Sequence, residues 1–299
     1  MKNDPTQVLF NRTNRITIPR SHRPCPLVKT FSEERSAKTH YYLRSCGIDL
    51  DCSQTICLLA LKRGKLIFEY YPQHVNSSQS IMLFALSGLV LKVLECQARY
   101  DLVRQYGRNS SQLDFERSAI DSKTPISWNS KYWKKERRTT EHILDQEFFR
   151  CVESKLHIYQ SEKILADYFY QKLWNPLGVE YEASWNIALT DSFFVENKYT
   201  LSATSVDLCK LVYVLLNRGR SLSGRVLLSP YYVQVFLSAL SPCFSYKNPN
   251  LAATSSYGNF VYACAAKDIS IIRLGTGYGD MPVSLWLRAM ESLCFIWSK

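Results

Sequence analysis

Apolar and polar positions fall into two hairpin patterns, one in the first quarter of the chain and one near its end. Thr55-Ile56-Cys57-Leu58-Leu59-Ala60-Leu61 runs into the polar turn Lys62-Arg63-Gly64-Lys65 and then into Leu66-Ile67-Phe68-Glu69-Tyr70. Two apolar runs around a short glycine-containing connection predict a β-hairpin, with Gly64 supplying the positive φ of a bulge turn. The second pattern is Phe260-Val261-Tyr262-Ala263-Cys264, the turn Ala265-Ala266-Lys267-Asp268, and Ile269-Ser270-Ile271-Ile272-Arg273-Leu274. An amphipathic helix is predicted from about Val283 to Trp297.

Between the hairpins the periodicity is helical. A helix is expected from Ile81 to about Gln97, although Gly88 inside it costs about 1 kcal/mol relative to alanine. Another spans Ser161–Trp174 and is closed by Asn175-Pro176-Leu177-Gly178, since proline cannot continue a helix and glycine suits the exit turn. A third begins at Thr204. There the threonine can accept the Asp207 N–H and the Asp207 carboxylate can reach back, a variant of the capping box. Its predicted buried stripe is Val206, Cys209, Leu211, Val212, Leu215 and Leu216, and Asn217-Arg218-Gly219 ends it. Ser229-Pro230 reads as a further helix start. Residues 1–50 are polar, basic and proline-punctuated, and are expected to form an irregular lead-in. Residues 105–160 are polar and carry no clear period. Hairpins from both chain ends imply one α+β domain over 51–299 with a shared antiparallel sheet, and a helical subdomain is expected at about 98–200.

The chain has 299 residues, 46% hydrophobic and 13% aromatic, enough for a large core and incompatible with wholesale disorder. Its ten cysteines occur singly, without Cys-x-x-Cys spacing, so buried thiols in a reducing compartment are expected rather than a zinc site or disulfide scaffold. The net charge of +11 is concentrated at Arg12, Arg15, Arg20 and Arg23 and at Lys131-Tyr132-Trp133-Lys134-Lys135-Glu136-Arg137-Arg138. Neither patch carries a nucleic-acid-binding signature, so a basic solvated surface is expected and nucleic-acid binding is not. The start of the chain lacks an apolar signal region, and the run Ile81–Leu94 falls short of the roughly 20 residues a membrane span needs. A cytoplasmic protein without a membrane span follows as the expectation. His22, His40, His74, His142 and His157 show no metal-binding spacing, and no phosphate-binding glycine motif occurs, so neither metal nor cofactor is expected.

Leu201-Ser202-Ala203-Thr204-Ser205-Val206-Asp207-Leu208, with Leu165-Ala166-Asp167-Tyr168 and Leu173-Trp174-Asn175-Pro176-Leu177-Gly178, resembles the serine β-lactamase-related hydrolases. The similarity is to the branch of 6-aminohexanoate-dimer hydrolase and related esterases. Trp128-Asn129-Ser130-Lys131-Tyr132 and Tyr257-Gly258-Asn259-Phe260 resemble two further family segments. The resemblance runs in patches from about 52 to 297 and implies a β-lactamase/transpeptidase-like fold. It also implies a serine nucleophile with a lysine three residues on, at the start of the first helix after the opening hairpin. The matching phrase here is Phe84-Ala85-Leu86-Ser87-Gly88, which puts Ala85 at the nucleophile and Gly88 at the lysine. No lysine of the chain has a serine three residues before it.

Ser87 sits about 200° around the helix from Ala85 and so cannot take over its role. The family's Tyr-x-Asn element aligns with Cys151 and Glu153, and its Lys-Thr-Gly or His-x-Gly element with Ser256-Tyr257-Gly258. Ser256, Tyr257 and Gly258 are the substrate-cleft candidates, with Gly258 retained for a strand passing close to a substrate. The resemblance therefore implies an inherited scaffold whose catalytic residues are lost, with a small amide or ester as the residual ligand. An active amide or ester hydrolase with a different nucleophile, and a non-enzymatic ligand- or partner-binding protein, remain as alternatives.

Overall fold

The computed structural model describes residues 13–83, 86–87, 90, 93–94, 97, 162–188, 199–230, 233, 244–247, 250–254 and 257–298. The two sequence hairpins are strands β2 (Thr55–Lys62) with β3 (Lys65–Tyr70) and β9 (Phe260–Cys264) with β10 (Ile269–Gly275). With β7 (Phe244–Lys247) and β8 (Asn250–Thr254) they form one antiparallel sheet in the order β3-β2-β10-β9-β8-β7. β10 lies directly against β2, with Ile271 opposite Ala60 and Ile272 opposite Leu59, so the far ends of the chain meet in the sheet centre. The first turn differs from expectation. Arg63 and Gly64 both have positive φ (51° and 73°), which makes a two-residue turn, and the bulge lies instead between Ala60 and Leu61.

Alternation along β2 sorts its side chains between two cores. Cys57, Leu59 and Leu61 face one cluster, while Leu58 and Ala60 face the other, and all five are buried. The second cluster is closed by the C-terminal helix, whose Trp286, Ala289, Met290 and Leu293 pack with Phe260, Tyr262 and Ile271. That helix occupies Val283–Ile296, close to the predicted bounds.

The described part of the lead-in, from residue 13, is not irregular. β1 (Thr13–Ile18) pairs with β5 (Ala183–Ala188) in a second sheet, ordered β1-β5-β6-β4 with β6 (Tyr199–Thr204) and β4 (Ser80–Met82). Helix α1 (Glu33–Ser45) starts at Ser32, whose hydroxyl accepts the Arg35 N–H, and its Thr39 accepts a bond from the Trp297 indole at 2.9 Å. Between them, the Ser21 and Cys25 N–H groups donate to the Val179 and Gly178 carbonyls. A proline-rich sequence with no period conceals β1 and the 21–25 segment, because their backbone bonds go to partners far away in sequence. Of the expected helical subdomain, most lies outside the described residues; within it, 183–188 is a strand and β6 begins at Tyr199.

Other boundaries shift for local reasons. Ile81 and Met82 belong to β4, opposite Ala203 and Ser202, and the described helical residues of that segment run from Leu86 to Gln97. Helix α2 (Glu162–Phe169) continues through a π turn at Tyr170–Trp174 into Asn175–Leu177. Pro176 is thus inside the helix rather than beyond it. The Asn175 N–H reaches back five residues to the Tyr170 carbonyl, and this wider turn makes room for the proline ring. Gly178 then ends the helix at φ 75°.

Helix α3 (Ser205–Leu216) starts at Thr204, as its sequence predicts, with the hydroxyl accepting the Asp207 N–H at 3.3 Å. It is buried well beyond one stripe, since all of 205–212 is buried, including Asp207 and Lys210. Thr204→Ala is expected to cost about 1–2 kcal/mol, because the hydroxyl also donates to the Asp207 carboxylate at 3.0 Å. Urea unfolding measures it, and a loss of a few tenths of a kcal/mol would dismiss the cap.

Asp207 departs from the expected capping box. Its carboxylate does not reach back to the cap's own N–H but accepts the N–H groups of Glu180 and Tyr181, at 2.8 and 3.0 Å. Lys210 Nζ lies 3.0 Å from the same carboxylate, 3.0 Å from the Gly178 carbonyl and 2.9 Å from Glu180 Oε1. The two sequence phrases, Leu-Trp-Asn-Pro-Leu-Gly and Leu-Ser-Ala-Thr-x-x-Asp-Leu, are therefore the two sides of one buried polar joint.

Candidate functional site

The site is approached from the junction where β4 ends and the helical segment begins. Pairing of β4 with β6 extends one residue past Met82, since the Leu83 N–H donates to the Leu201 carbonyl at 2.9 Å. An antiparallel ladder would next return the Leu201 N–H to the Leu83 carbonyl. That carbonyl has already turned to accept the Leu86 N–H, at 3.0 Å. Ser87 Oγ fills the vacancy, accepting the Leu201 N–H at 2.9 Å with its side chain fully buried. Ser87 thus completes a sheet edge and faces the core.

Ser87→Ala is expected to leave the Leu201 N–H without an acceptor and to cost about 1–3 kcal/mol in denaturant unfolding. Neutral behaviour would show that another acceptor takes its place. Ala85 and Gly88 lie outside the described residues, as do Cys151, Glu153, Ser256 and the Trp128–Tyr132 segment.

The facing wall is the start of β9. Asn259, fully buried, accepts the Gly275 N–H at 2.9 Å and donates to the Met82 carbonyl at 3.4 Å. Tyr257 and Gly258 are thereby held beside the end of β4, three residues before Ala85. Gly258 has φ 75°, and a Cβ there would collide with the Gly277 carbonyl oxygen. Its glycine is required by a neighbouring loop of the protein itself.

Arg273 holds that loop. Buried completely, it donates from Nε to Thr55 Oγ1 at 3.0 Å, from Nη1 to the Gly258 carbonyl, and from Nη2 to the Ser53 and Gly277 carbonyls at 2.7 and 3.0 Å. The guanidinium stacks 4.2 Å above the Trp286 ring. Burial pulls its pKa down to about 10, so it stays charged at neutral pH. Neither Asn259 nor Arg273 stands out among the sequence candidates. The available signal is an arginine in a strand that is otherwise apolar apart from Ser270, and a buried arginine must find partners or unfold it.

Two described thiols and one phenol of the core are held in their protonated forms by burial. Cys57 on β2 is pushed up to about 12 by burial, and Cys209 on α3 is also raised by burial. Tyr71 shares a 2.9 Å hydrogen bond with Ser205, and burial raises its phenol as well. All therefore stay protonated at neutral pH. Among the described residues, no helix is long and apolar enough to cross a membrane.

No family model matches the chain, and no curated protein matches it by sequence. Solved structures do resemble it. One is the "Putative 6-aminohexanoate-dimer hydrolase from Bacillus anthracis", with TM-score 0.62 and 12% identity, covering 99% of this chain and 94% of that one. A β-lactamase from Mycobacterium bovis has TM-score 0.45 and 12% identity over 86% of this chain and 100% of the other. A penicillin-binding-protein homologue from Caulobacter crescentus has TM-score 0.43 and 12% identity, over 88% and 99%. The first carries the comparison: this chain shares its fold, an antiparallel sheet flanked by helices, as the sequence phrases imply.

Proposed function

We propose that the chain keeps this hydrolase fold without the family's serine chemistry, as a pseudoenzyme whose residual cleft suits a small amide or ester. The observation that carries this is the phrase Phe84-Ala85-Leu86-Ser87-Gly88, which offers neither a hydroxyl at 85 nor an amine at 88. In the Ser-x-x-Lys pair that the resemblance implies, the two side chains share a helix face one turn apart, which lets the lysine reach the serine hydroxyl. The phrase's one hydroxyl, on Ser87, is occupied by the Leu201 N–H. Support also comes from Ser256 and Cys151, which stand where the resemblance implies a cationic or imidazole group and a phenol.

Losing the nucleophile of a coupled catalytic unit lowers kcat by about 10⁶, and losing its partners then adds little. That corresponds to on the order of 8 kcal/mol of transition-state stabilisation. Purified protein is therefore expected to form no acyl or phosphonyl adduct with β-lactams or fluorophosphonate probes, as read by intact mass. A stoichiometric adduct mapped to any serine overturns the proposal, and with it the loss of activity. Ala85→Ser combined with Gly88→Lys is expected to recover little hydrolysis of a nitrophenyl ester, because Cys151 and Ser256 still occupy the other family positions.

A further inference from the structure

The two hairpin turns of the main sheet lie side by side at one end of the strands. Lys62 stands opposite Ile269 in the β2–β10 ladder, and the Arg63 N–H donates to the Asp268 carbonyl at 2.9 Å. Three further segments gather around this pair of turns. The 28–30 stretch runs along the start of β3, where the Leu66 N–H donates to the Val28 carbonyl at 2.9 Å and the Thr30 N–H to the Leu66 carbonyl at 2.8 Å. The loop after α3 packs on the first turn, since Gly64 lies against the Leu222 and Tyr213 side chains. The end of the C-terminal helix closes the other side, because Lys62 Nζ donates to the Trp297 carbonyl at 2.7 Å.

The pole assembled in this way is basic. Lys62, Arg63 and Lys65 come from the first turn, and Arg218, Arg220 and Arg225 from the loop after α3. Lys29 and Lys267 come from the 28–31 and 265–268 segments. Asp268 is the one acidic residue in 28–31, 62–65, 217–225, 265–268 and 295–298. On the flank, Lys29 binds Glu69 at 2.7 Å, and Glu33 and Glu34 of α1 are followed by Arg35 and Lys38. None of the pole's basic residues belongs to either basic run of the sequence, so only folding brings them together. The rim of the pole is apolar as well. Val28, Phe31 and Phe295 are 59%, 52% and 60% exposed, three of the four large hydrophobic side chains exposed among the described residues. Lys29 Nζ lies 5.5 Å from the centre of the Phe31 ring, and Lys267 Nζ 3.0 Å from that of Phe295, so cations and apolar groups are interleaved.

We propose that this pole is a docking surface for an anionic lipid bilayer. Each lysine or arginine near a negatively charged headgroup layer strengthens binding roughly fivefold. Val28, Phe31 and Phe295 then enter the boundary between headgroups and acyl chains, where apolar side chains leave water. A nucleic acid duplex offers the charges the same phosphates but gives the apolar rim no such layer to enter. β9 and β10 have Gly258 and Gly275 at their other end, so docking leaves the candidate cleft away from the bilayer.

The test sediments the full chain with vesicles of phosphatidylcholine, alone or with about 30 mol% phosphatidylserine. Binding is expected to the second kind only, and to fall at least tenfold as salt rises from about 0.1 M to about 0.5 M. Lys65→Glu with Arg225→Glu, both exposed, is expected to weaken it by about 30-fold or more. Phe31→Ser with Phe295→Ser is expected to weaken it by at least about tenfold. Arg20→Glu with Arg23→Glu makes the same charge change at the opposite end of α3, beside the 178–181 turn, and should stay within about threefold of wild type. In the wild type, vesicles should slow hydrogen exchange at 62–65 and 217–225. No binding, equal binding to both vesicles, or an equal loss in the 20/23 variant overturns the proposal, as does protection confined to 257–259. Weakening by the charge variant alone, with the phenylalanine variant unaffected, marks a surface for a polyanion such as nucleic acid and overturns the bilayer. These outcomes are independent of whether the cleft hydrolyses anything.

Discussion

Replacing Asp207 with alanine is expected to destabilise the fold by about 3–5 kcal/mol, the cost typical of removing one partner from a buried ion pair. The carboxylate is fully buried and all of its accepting positions are used. Two backbone N–H groups, one hydroxyl and one ammonium converge on it. Its removal strands Lys210, itself fully buried, with only Glu180 and the Gly178 carbonyl. The Glu180 and Tyr181 N–H groups lose their acceptor as well, which is a separate cost of about 1–3 kcal/mol each where water cannot enter.

A double variant, Asp207→Ala with Lys210→Met, separates these contributions. It removes the stranded ammonium and should recover part of the loss, but the two orphaned N–H groups keep it below wild type. Guanidinium unfolding of the four-member cycle gives the coupling directly. A loss within about 1 kcal/mol for Asp207→Ala would mean that water or Glu180 replaces the carboxylate, and the joint would then not be what locks the 178–181 turn onto α3.

Arg273→Lys is the second large effect, expected at about 3 kcal/mol even though charge and stem length are nearly kept. The guanidinium reaches Thr55, Ser53, Gly258 and Gly277 at once because its donors fan out in a plane. An ammonium is a point donor and leaves at least one buried carbonyl unpaired, and it also loses the stacking on Trp286. The local readout is hydrogen exchange. The Gly275 and Thr276 N–H groups, bound to Asn259 Oδ1 and the Gln54 carbonyl, should exchange faster than those of β2. Wild-type exchange at those two amides in the lysine variant would show that Asn259 alone holds the loop. Gly258→Ala strikes the same joint from the other side, through the collision with Gly277.

Local signals in the sequence determined the elements whose causes are local. Both hairpins, the C-terminal helix and the Thr204 cap were legible because alternation, a turn dipeptide and a capping hydroxyl act within a few residues. The joining of 55–62 with 269–275 was also legible, since two hairpins with apolar faces at opposite chain ends can bury them only against each other. The resemblance added the fold and the positions of Ala85, Gly88, Cys151 and Ser256, all of which lie outside the described residues. Tyr257 and Gly258 precede Asn259, whose amide bonds the end of β4.

What only the tertiary structure decided are pairings across long separations, where the partner is backbone or a residue with no signature of its own. Asp207 meets the 180–181 turn, and Arg273 meets carbonyls at 53, 258 and 277. β1 has no signature in the lead-in for the same reason, since it is stabilised by pairing with β5 and not by its own pattern. A sequence displays the donors and acceptors a residue brings. Where each finds its complement depends on burial, because only there does leaving one unpaired cost enough to fix the partner.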